Sequence, residues 1–223
     1  MKWRRLRFVL KYKRRLLRFV KFLEVLPVAV TTRPLRADAQ RNRDKLLAAA
    51  TEAFAEEGED VALEAVAARA GVGIGTLYRH FPNRDALVVA AYQQEVDSLC
   101  EAAFDLVAAQ RADEALRVWS ERFADYIATK RSMGEALRTA VSSSDCAVFT
   151  DCRGRILGAL RLLLAAGAKD GSLRADVDPE DVMRVVNAIW YLPDGPQWRD
   201  TVGRMLDLVI DGLCYRAPVR STA

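Results

Sequence analysis

Residues 70–81 read Ala-Gly-Val-Gly-Ile-Gly-Thr-Leu-Tyr-Arg-His-Phe. A short segment with helical apolar spacing, residues 63–70, ends just before Gly71, and a second short helix can begin three residues after it. Because glycine readily adopts positive φ, Gly71 is predicted to form a tight turn between the two helices. Leu77 and Phe81 lie four residues apart and are predicted to pack inward. The stretch therefore predicts a helix-turn-helix whose second helix presents its polar face to a DNA groove.

The same stretch belongs to a longer run that is similar to one known family. The run resembles the DNA-binding domain of TetR/AcrR-type bacterial repressors in Gly71-Val72, in Gly75-Thr76-Leu77-Tyr78-Arg79-His80-Phe81, in Asn83-Arg84-Asp85 and in Leu87. The resemblance covers roughly residues 41–92. Gly73 stands where the family often has Ser or Thr, and Ala62 stands where it often has Thr, so two hydroxyl groups that could contact phosphate are absent from this chain. A first helix is predicted to begin near Arg41 and to end at Gly58 in a left-handed cap. Asp60 is predicted to cap the second helix, and Asn83 the helix that follows the recognition helix.

The resemblance implies a ligand-responsive, dimeric transcriptional repressor that a small molecule releases from a palindromic operator. Two copies of the recognition helix would enter successive major grooves of double-stranded DNA. The residues that the resemblance assigns to DNA are Thr76, Tyr78 and His80 for phosphate and base edges, Gly73, Ile74, Gly75 and Arg79 for the groove, Arg84 for phosphate, and Arg41 and Arg43 for the DNA backbone. Tyr78 and His80 have the alternative of packing against Phe81 and the first helix. Arg79 has two possible partners, guanine or phosphate.

Charge is unevenly distributed along the 223 residues. The net charge is +4, but residues 1–36 contain 12 basic residues and one acidic residue, which leaves the remaining chain at −7. Residues 37–92 carry six basic and nine acidic residues. The DNA-binding domain is therefore not basic overall, and its attraction for DNA must come from a few placed groups or from the N-terminal extension.

Three domains are predicted: a basic extension (1–36), a helix-turn-helix DNA-binding domain (37–84) and a helical effector-binding and dimerisation domain (85–223). Basic and apolar residues alternate at helical spacing in the extension, which permits an amphipathic helix that binds phosphate or an anionic membrane. The alternatives are a disordered arm or a stretch added by a misassigned start codon. Glu24 and Pro27 interrupt the only candidate signal sequence, and no run is long enough to span a bilayer.

The chain after residue 84 is predicted to be helical throughout, which makes the fold all-α. Helices are predicted at residues 84–108, 113–130, 133–141, 145–167, 179–191 and 195–215, with Asp178 capping the fifth of these. In the resembled family the last two helices form a four-helix dimer bundle with a second copy. The alternative is that their apolar stripes pack within one subunit.

Catalytic and metal-binding patterns are weak. His80 is the only histidine, so triads and histidine-rich metal sites cannot form without the recognition helix. We therefore expect no enzyme activity, no cofactor and no metal. The four cysteines, Cys100, Cys146, Cys152 and Cys214, lack Cys-x-x-Cys spacing, which favours reduced thiols in a cytoplasmic protein over a redox sensor at Cys146 and Cys152.

A small-molecule pocket is the second predicted site, and the resemblance implies that it exists. Aromatic and polar residues of the C-terminal helices are its candidates: Phe104, Trp119, Phe123, Tyr126, Met133, Phe149, Asn187 and Trp190. Each of them is alternatively a packing residue of the core. An alternative function for the whole chain is a membrane-surface or interaction protein that uses its basic N-terminus.

Overall fold

The computed structural model describes residues 35–142, 147–193 and 195–215, and within these ranges every regular element is helical. The predicted all-α class is confirmed. The helices are α1 (Leu35–Glu57), α2 (Leu63–Arg69), α3 (Ile74–His80), α4 (Arg84–Ala109), α5 (Ala112–Ser132), α6 (Gly134–Ser142), α7 (Ala147–Asp170), α8 (Pro179–Asn187) and α9 (Trp198–Cys214). Two 3-10 helices cover Gly58–Asp60 and Ala188–Tyr191. Most of the predicted basic extension, residues 1–34, lies outside the described residues.

Helix α1 begins at Leu35, earlier than the start expected near Arg41. Residues 37–40 are helical but exposed, whereas the buried stripe of α1 begins with Leu46 and Leu47. The sequence prediction relied on apolar residues at helical spacing. The first turns of α1 have no such core-facing pattern, so the prediction missed them.

Three of the four residues predicted to end or cap a helix have that role in the structure: Gly58, Asn83 and Asp178. Gly58, just after α1, has a φ of 70°. The side chain of Asn83 accepts a hydrogen bond from the backbone N–H of Ala86 at 2.8 Å and caps α4. Asp178 accepts one from the N–H of Glu180 at 2.8 Å and caps α8. These three predicted caps are confirmed. They could be predicted from the sequence because each depends only on residues close in sequence.

The predicted cap of α2 by Asp60 is wrong. Asp60 ends the 3-10 helix after α1, and the N-cap position of α2 is Ala62, which has no side-chain acceptor. Asp60 belongs to this 3-10 turn and lies two residues before the N-cap position, so its carboxylate does not cap the first N–H groups of α2.

Helix α4 connects the two halves of the compact unit formed by Gln40–Ala223. One continuous apolar core runs from Leu46 in α1 to Leu213 in α9. Helix α4 packs against α5, α6 and α7, and α5 packs against α9. Helix α7 is apolar on more than one face and packs against α4, α5 and α8. None of the helices in the described ranges combines the length and apolarity required to span a membrane.

Candidate nucleic-acid interface and aromatic cavity

The turn between α2 and α3 is formed by Gly71, whose φ is 67°. Its N–H donates to the carbonyl of Ala68 at 3.1 Å, and the N–H of Val72 donates to the carbonyl of Ala67 at 3.0 Å. These bonds satisfy carbonyls that the end of a helix leaves without partners. The turn predicted from glycine chemistry is therefore confirmed, and a side chain at Gly71 would strain it.

Helix α3 has a buried face and an open face. Leu77 is fully buried and Phe81, which follows the helix, is nearly so. On the other side Tyr78 is 47% exposed, Arg79 is exposed, and Ile74 is at the border of exposure. The buried pair fixes the orientation of the helix, so its open face is held in one position for a groove.

Two glycines lie at the start of α3 without a structural need inside the chain. Gly73 is the N-cap, with a φ of −71°, and Gly75 is in the first turn. A Cβ atom built on either residue would meet no atom within 4 Å. The folded chain itself therefore leaves room for a side chain at either residue.

Two nearby arginines are engaged within the domain. Arg69 forms ion pairs with Glu56 at 2.6 Å and with Glu57 at 2.5 Å. Arg84 donates to the carbonyl of Val61, and its guanidinium lies 5.5 Å from the ring centroid of Phe54. The sequence prediction assigned Arg84 to phosphate, but the structure directs its guanidinium toward α1 and the start of α2.

Further cations lie on α1 and α3. Arg43 stacks 4.8 Å from the ring centroid of Phe81, while Arg41 and Lys45 are exposed on α1. Arg79 forms no ion pair with any residue that the structure describes. Positive charge next to α3 is therefore concentrated on the open face of α3 and on α1.

A cavity of about 330 Å³, here called the aromatic cavity, lies among α4, α5, α7, α8 and the 3-10 helix after α8. The hydroxyl oxygens of Tyr92 from α4 and Tyr126 from α5 lie 3.0 Å apart and share a hydrogen bond. Burial raises the pKa of Tyr92 to about 12, so its hydroxyl is neutral at physiological pH. The cavity is lined by Tyr92, Phe123, Tyr126, Ile127, Lys130, Arg153, Ile156, Met183, Asn187, Trp190 and Tyr191.

Lys130 lies between two rings of this lining. Its ammonium is 4.9 Å from the ring centroid of Trp190 and 5.6 Å from that of Tyr92. Burial lowers the pKa of Lys130 below its ordinary value, because the apolar surroundings disfavour the charged form. Burial raises the pKa of the neighbouring Cys152 thiol, which makes it a poor nucleophile and redox sensor. Cys146, its partner in the redox alternative, lies outside the described residues.

A second void, among α5, α7, α8 and α9, is too small for an organic ligand. Its volume is about 20 Å³, and its lining is mainly apolar. Trp119 borders it and donates from its indole nitrogen to the carbonyl of Leu99 at 2.9 Å. Trp119 is therefore a core residue. Among the described residues there is also no cluster of side chains suited to hold a metal ion.

Comparison with known proteins identifies the family. Residues 46–91 match the model of bacterial regulatory proteins of the tetR family, and residues 111–215 match that of the SbtR-like transcriptional regulator C-terminal domain. The crystal structure of the TetR transcriptional regulator SCO0520 from Streptomyces coelicolor is 44% identical to this chain, with a TM-score of 0.73, and the match covers 78% of this chain and 99% of that one. The chain belongs to the TetR family of transcriptional regulators.

Further TetR-family similarity extends along most of the chain. The crystal structure of a TetR regulatory protein from Mycobacterium vanbaalenii is 34% identical, with a TM-score of 0.68, and the match covers 82% of this chain and all of that one. The transcriptional repressor KstR2 from Rhodococcus jostii is 29% identical over 184 residues, which are 77% of this chain and 90% of the repressor. Membership of a family of regulators disfavours both the membrane-surface alternative and an enzyme.

Each of the two TetR-family matches contains most of one candidate site. The N-terminal match contains the turn, α3 and the start of α4, and it ends at residue 91, next to Tyr92. The C-terminal match contains every other residue that lines the aromatic cavity. Tyr92 itself lies in the segment between the two matches, so the cavity combines residues of the C-terminal match with a residue of α4 outside both matches.

The DNA-binding residues predicted for this TetR-family protein are distributed over three elements. Gly73, Ile74, Gly75, Thr76, Tyr78, Arg79 and His80 lie on α3 or at its N-cap, Arg41 and Arg43 lie on α1, and Arg84 lies on α4. Thr76 and His80 are half-buried. The ring of His80 lies 6.2 Å from that of Phe81, so the packing alternative describes part of its environment. These roles on DNA remain predictions.

The structure brings together only some of the predicted ligand residues. Phe123, Tyr126, Asn187 and Trp190 line the aromatic cavity. Trp119 and Met133 are buried outside its lining, Phe104 is exposed on α4, and the side chain of Phe149 lies outside the described part of the structure. Sequence reasoning missed Tyr92, Lys130 and Arg153. The four-residue spacing of Tyr126 and Lys130 on α5 was a usable signal for the second of them.

Replacing Gly73 with serine is expected to increase operator affinity by about two- to tenfold, the value of one added hydrogen bond to a phosphate. The Cβ position is open and φ is negative, so the substitution is tolerated. Fluorescence anisotropy with labelled operator at fixed salt measures the change. Gly73→Ala is the control, because it adds the Cβ without the hydroxyl. Equal affinity of the two variants would contradict a phosphate near this residue.

Proposed function

We propose that this protein is a dimeric repressor that binds a pseudo-palindromic operator through α3 and is released from it by a small molecule in the aromatic cavity. The observation that carries the proposal is the fixed orientation of α3. Leu77 and Phe81 anchor the helix, while Tyr78, Arg79 and the two bare glycines face outward. Such a helix presents hydrogen-bonding groups to the major groove.

The proposed dimer uses α8 and α9. Val185 of α8, Tyr191 after it and Leu208 of α9 are large apolar residues that one protomer leaves exposed, and Leu208 is 75% exposed. Exposed apolar residues gathered on neighbouring elements mark interaction surfaces. A two-fold axis through these helices would pair each surface with its own copy and would give two recognition helices for two half-sites.

Helix α4 is the proposed link between ligand and DNA. Tyr92 of α4 reaches the aromatic cavity, while Arg84 at the start of the same helix contacts Val61 and Phe54 of the DNA-binding domain. Helix α6 also packs against the 3-10 helix Gly58–Asp60. A ligand that prefers a different position of α4 would move α3 with it. Coupling of this kind is typically worth about 1–3 kcal/mol, or 5- to 150-fold in affinity.

The proposed function requires neither a catalytic residue nor a cofactor. Its partners are operator DNA, a second copy of the chain and a small-molecule effector. The proposed location is the cytoplasm, where operator DNA is accessible.

Selection of bound sequences from a random DNA pool tests the proposal, and we expect a pseudo-palindromic consensus. Half-sites should be separated by about one helical turn or a multiple of it. A consensus without two-fold symmetry would contradict a dimeric reader.

Tyr78→Ala is expected to weaken binding to the selected operator by about five- to 150-fold, because it removes a groove-facing side chain whose contacts are worth roughly 1–3 kcal/mol. A gel shift at controlled salt measures this affinity, and size-exclusion chromatography checks that the dimer is intact. Phe104→Ala is the matched control, since Phe104 is an exposed aromatic on α4 outside the recognition helix. Unchanged affinity of Tyr78→Ala would remove Tyr78 from the interface.

A further inference from the structure

The aromatic cavity carries a specific charge pattern. Its lining includes the cations Lys130 and Arg153, and none of the residues described as lining it is acidic. The other residues supply apolar surface, two tyrosine hydroxyls and the amide of Asn187. A pocket with excess positive charge and no carboxylate disfavours cationic ligands and favours anionic ones.

Lys130 contributes more to the positive charge of the cavity than Arg153 does, because Lys130 is the more buried of the two cations. Its ammonium lies against the rings of Trp190 and Tyr92, and such ring faces partly stabilise a cation in apolar surroundings. Burial lowers the pKa of Lys130, because its apolar surroundings disfavour the charged form. An anionic group entering the cavity would restore the stabilisation that burial removes.

Arg153 places a second cation at the opening. It lines the cavity and is also exposed, so it lies at the rim, one turn of α7 before the buried Ile156. The Tyr92–Tyr126 hydroxyl pair adds neutral hydrogen-bonding groups. An occupant that satisfies the whole lining therefore needs an anionic group, an apolar body and at most a few further oxygens.

The cavity volume limits the size of this body. About 330 Å³ is near the lower end of the range of about 300–1,000 Å³ for small-molecule sites. The rings of Phe123 and Trp190 and the side chains of Ile127 and Met183 favour a compact aromatic or alicyclic body.

We propose that the effector of this regulator is a compact organic acid whose carboxylate binds between Lys130 and Arg153 while its ring system lies on the aromatic lining of the cavity. This inference rests on the proposed function of the cavity as the effector site. It adds the chemical class of the effector and the two residues that select it.

A matched pair of probes tests the charge preference. The probes are 2-naphthylacetate and its neutral amide, which share the ring system and differ in charge. Isothermal titration calorimetry with the full chain is expected to show about tenfold tighter binding of the acid, in line with a charge-assisted hydrogen bond. Lys130→Met should abolish this preference while leaving affinity for the amide nearly unchanged. Arg153→Gln should reduce the preference.

Controls separate charge selection from folding. Lys169→Met removes an exposed charge in the last turn of α7, outside the cavity lining, and should keep the preference. Thermal unfolding of each ligand-free variant checks its fold. Should Lys130→Met not fold, the exposed Arg153 provides the informative variant. Equal binding of acid and amide by the wild type, an unchanged preference in both cavity variants, or no binding of either probe overturns the inference.

Release of labelled operator by the acid is measured separately by anisotropy. Selective binding of the acid without release of DNA contradicts the proposed ligand response but retains the inferred chemistry of the cavity. If the amide releases DNA as effectively as the acid does, the proposed ligand response is retained but the inferred preference of the cavity for an anion is contradicted.

Discussion

Leu208→Glu is expected to convert the proposed dimer into monomers and to reduce operator affinity by about a hundredfold or more, because the two recognition helices would no longer bind as one unit. Leu208 is 75% exposed on α9, so the substitution leaves the core of the protomer intact. In a two-fold interface each glutamate would face the same apolar surface, and often its own copy, from the partner. Burial of unpaired like charges at the centre of the interface opposes association.

Light scattering after size exclusion measures the mass of the variant, and an anisotropy titration measures its affinity for full and half operators. Phe104→Glu is the matched control, since it introduces the same charge at another exposed apolar residue, on α4. We expect this control to remain dimeric. A Leu208→Glu protein with dimeric mass would place the interface on other elements.

Leu77→Ala is expected to lower the free energy of unfolding of the DNA-binding domain by about 2–5 kcal/mol, the usual cost of truncating a fully buried leucine. Helix α3 has only seven residues, which is too short for independent stability. Its position therefore depends on Leu77 and Phe81. Removal of the Leu77 side chain should disorder the recognition helix before the rest of the chain unfolds.

Urea unfolding followed by circular dichroism measures the loss, and hydrogen exchange locates it. Ile74→Ala is the control on the same helix, because Ile74 is partly exposed and its truncation should cost about 1 kcal/mol or less. A similar cost for both substitutions would be inconsistent with the inward orientation of Leu77.

The elements that the sequence predicts well are those determined by neighbouring residues. Gly71 and Asn83 act on backbone groups within five residues, and their roles are visible in the sequence itself. The predicted cap by Asp60 was wrong because the path of the chain through the 3-10 helix was not visible in the pattern. Early α1 was missed for a related reason, since residues 37–40 do not pack against the core.

The recognition surface and the aromatic cavity also differ in how far the sequence predicts them. The recognition surface lies on one short helix, so its residues were contiguous in sequence and were identified together. The aromatic cavity joins residues that are far apart in sequence: Tyr92 meets Tyr126 across 34 positions. Charges also acquire partners over a distance, as Arg69 does with Glu56 and Arg84 with Val61. No local pattern distinguishes such an arginine from one that reaches DNA.

The contact of Arg84 with Phe54 and Val61 bears on how the protein can be divided into fragments. The boundary predicted at residue 84 falls between this arginine and the fully buried Leu87 and Val88 one turn later. A fragment that ends at residue 84 would retain every residue proposed to touch DNA and would lose the helix that holds the last of them in place. The residues proposed to touch DNA therefore end before the end of the shortest segment expected to fold, so a minimal DNA-binding fragment has to include the beginning of the C-terminal domain.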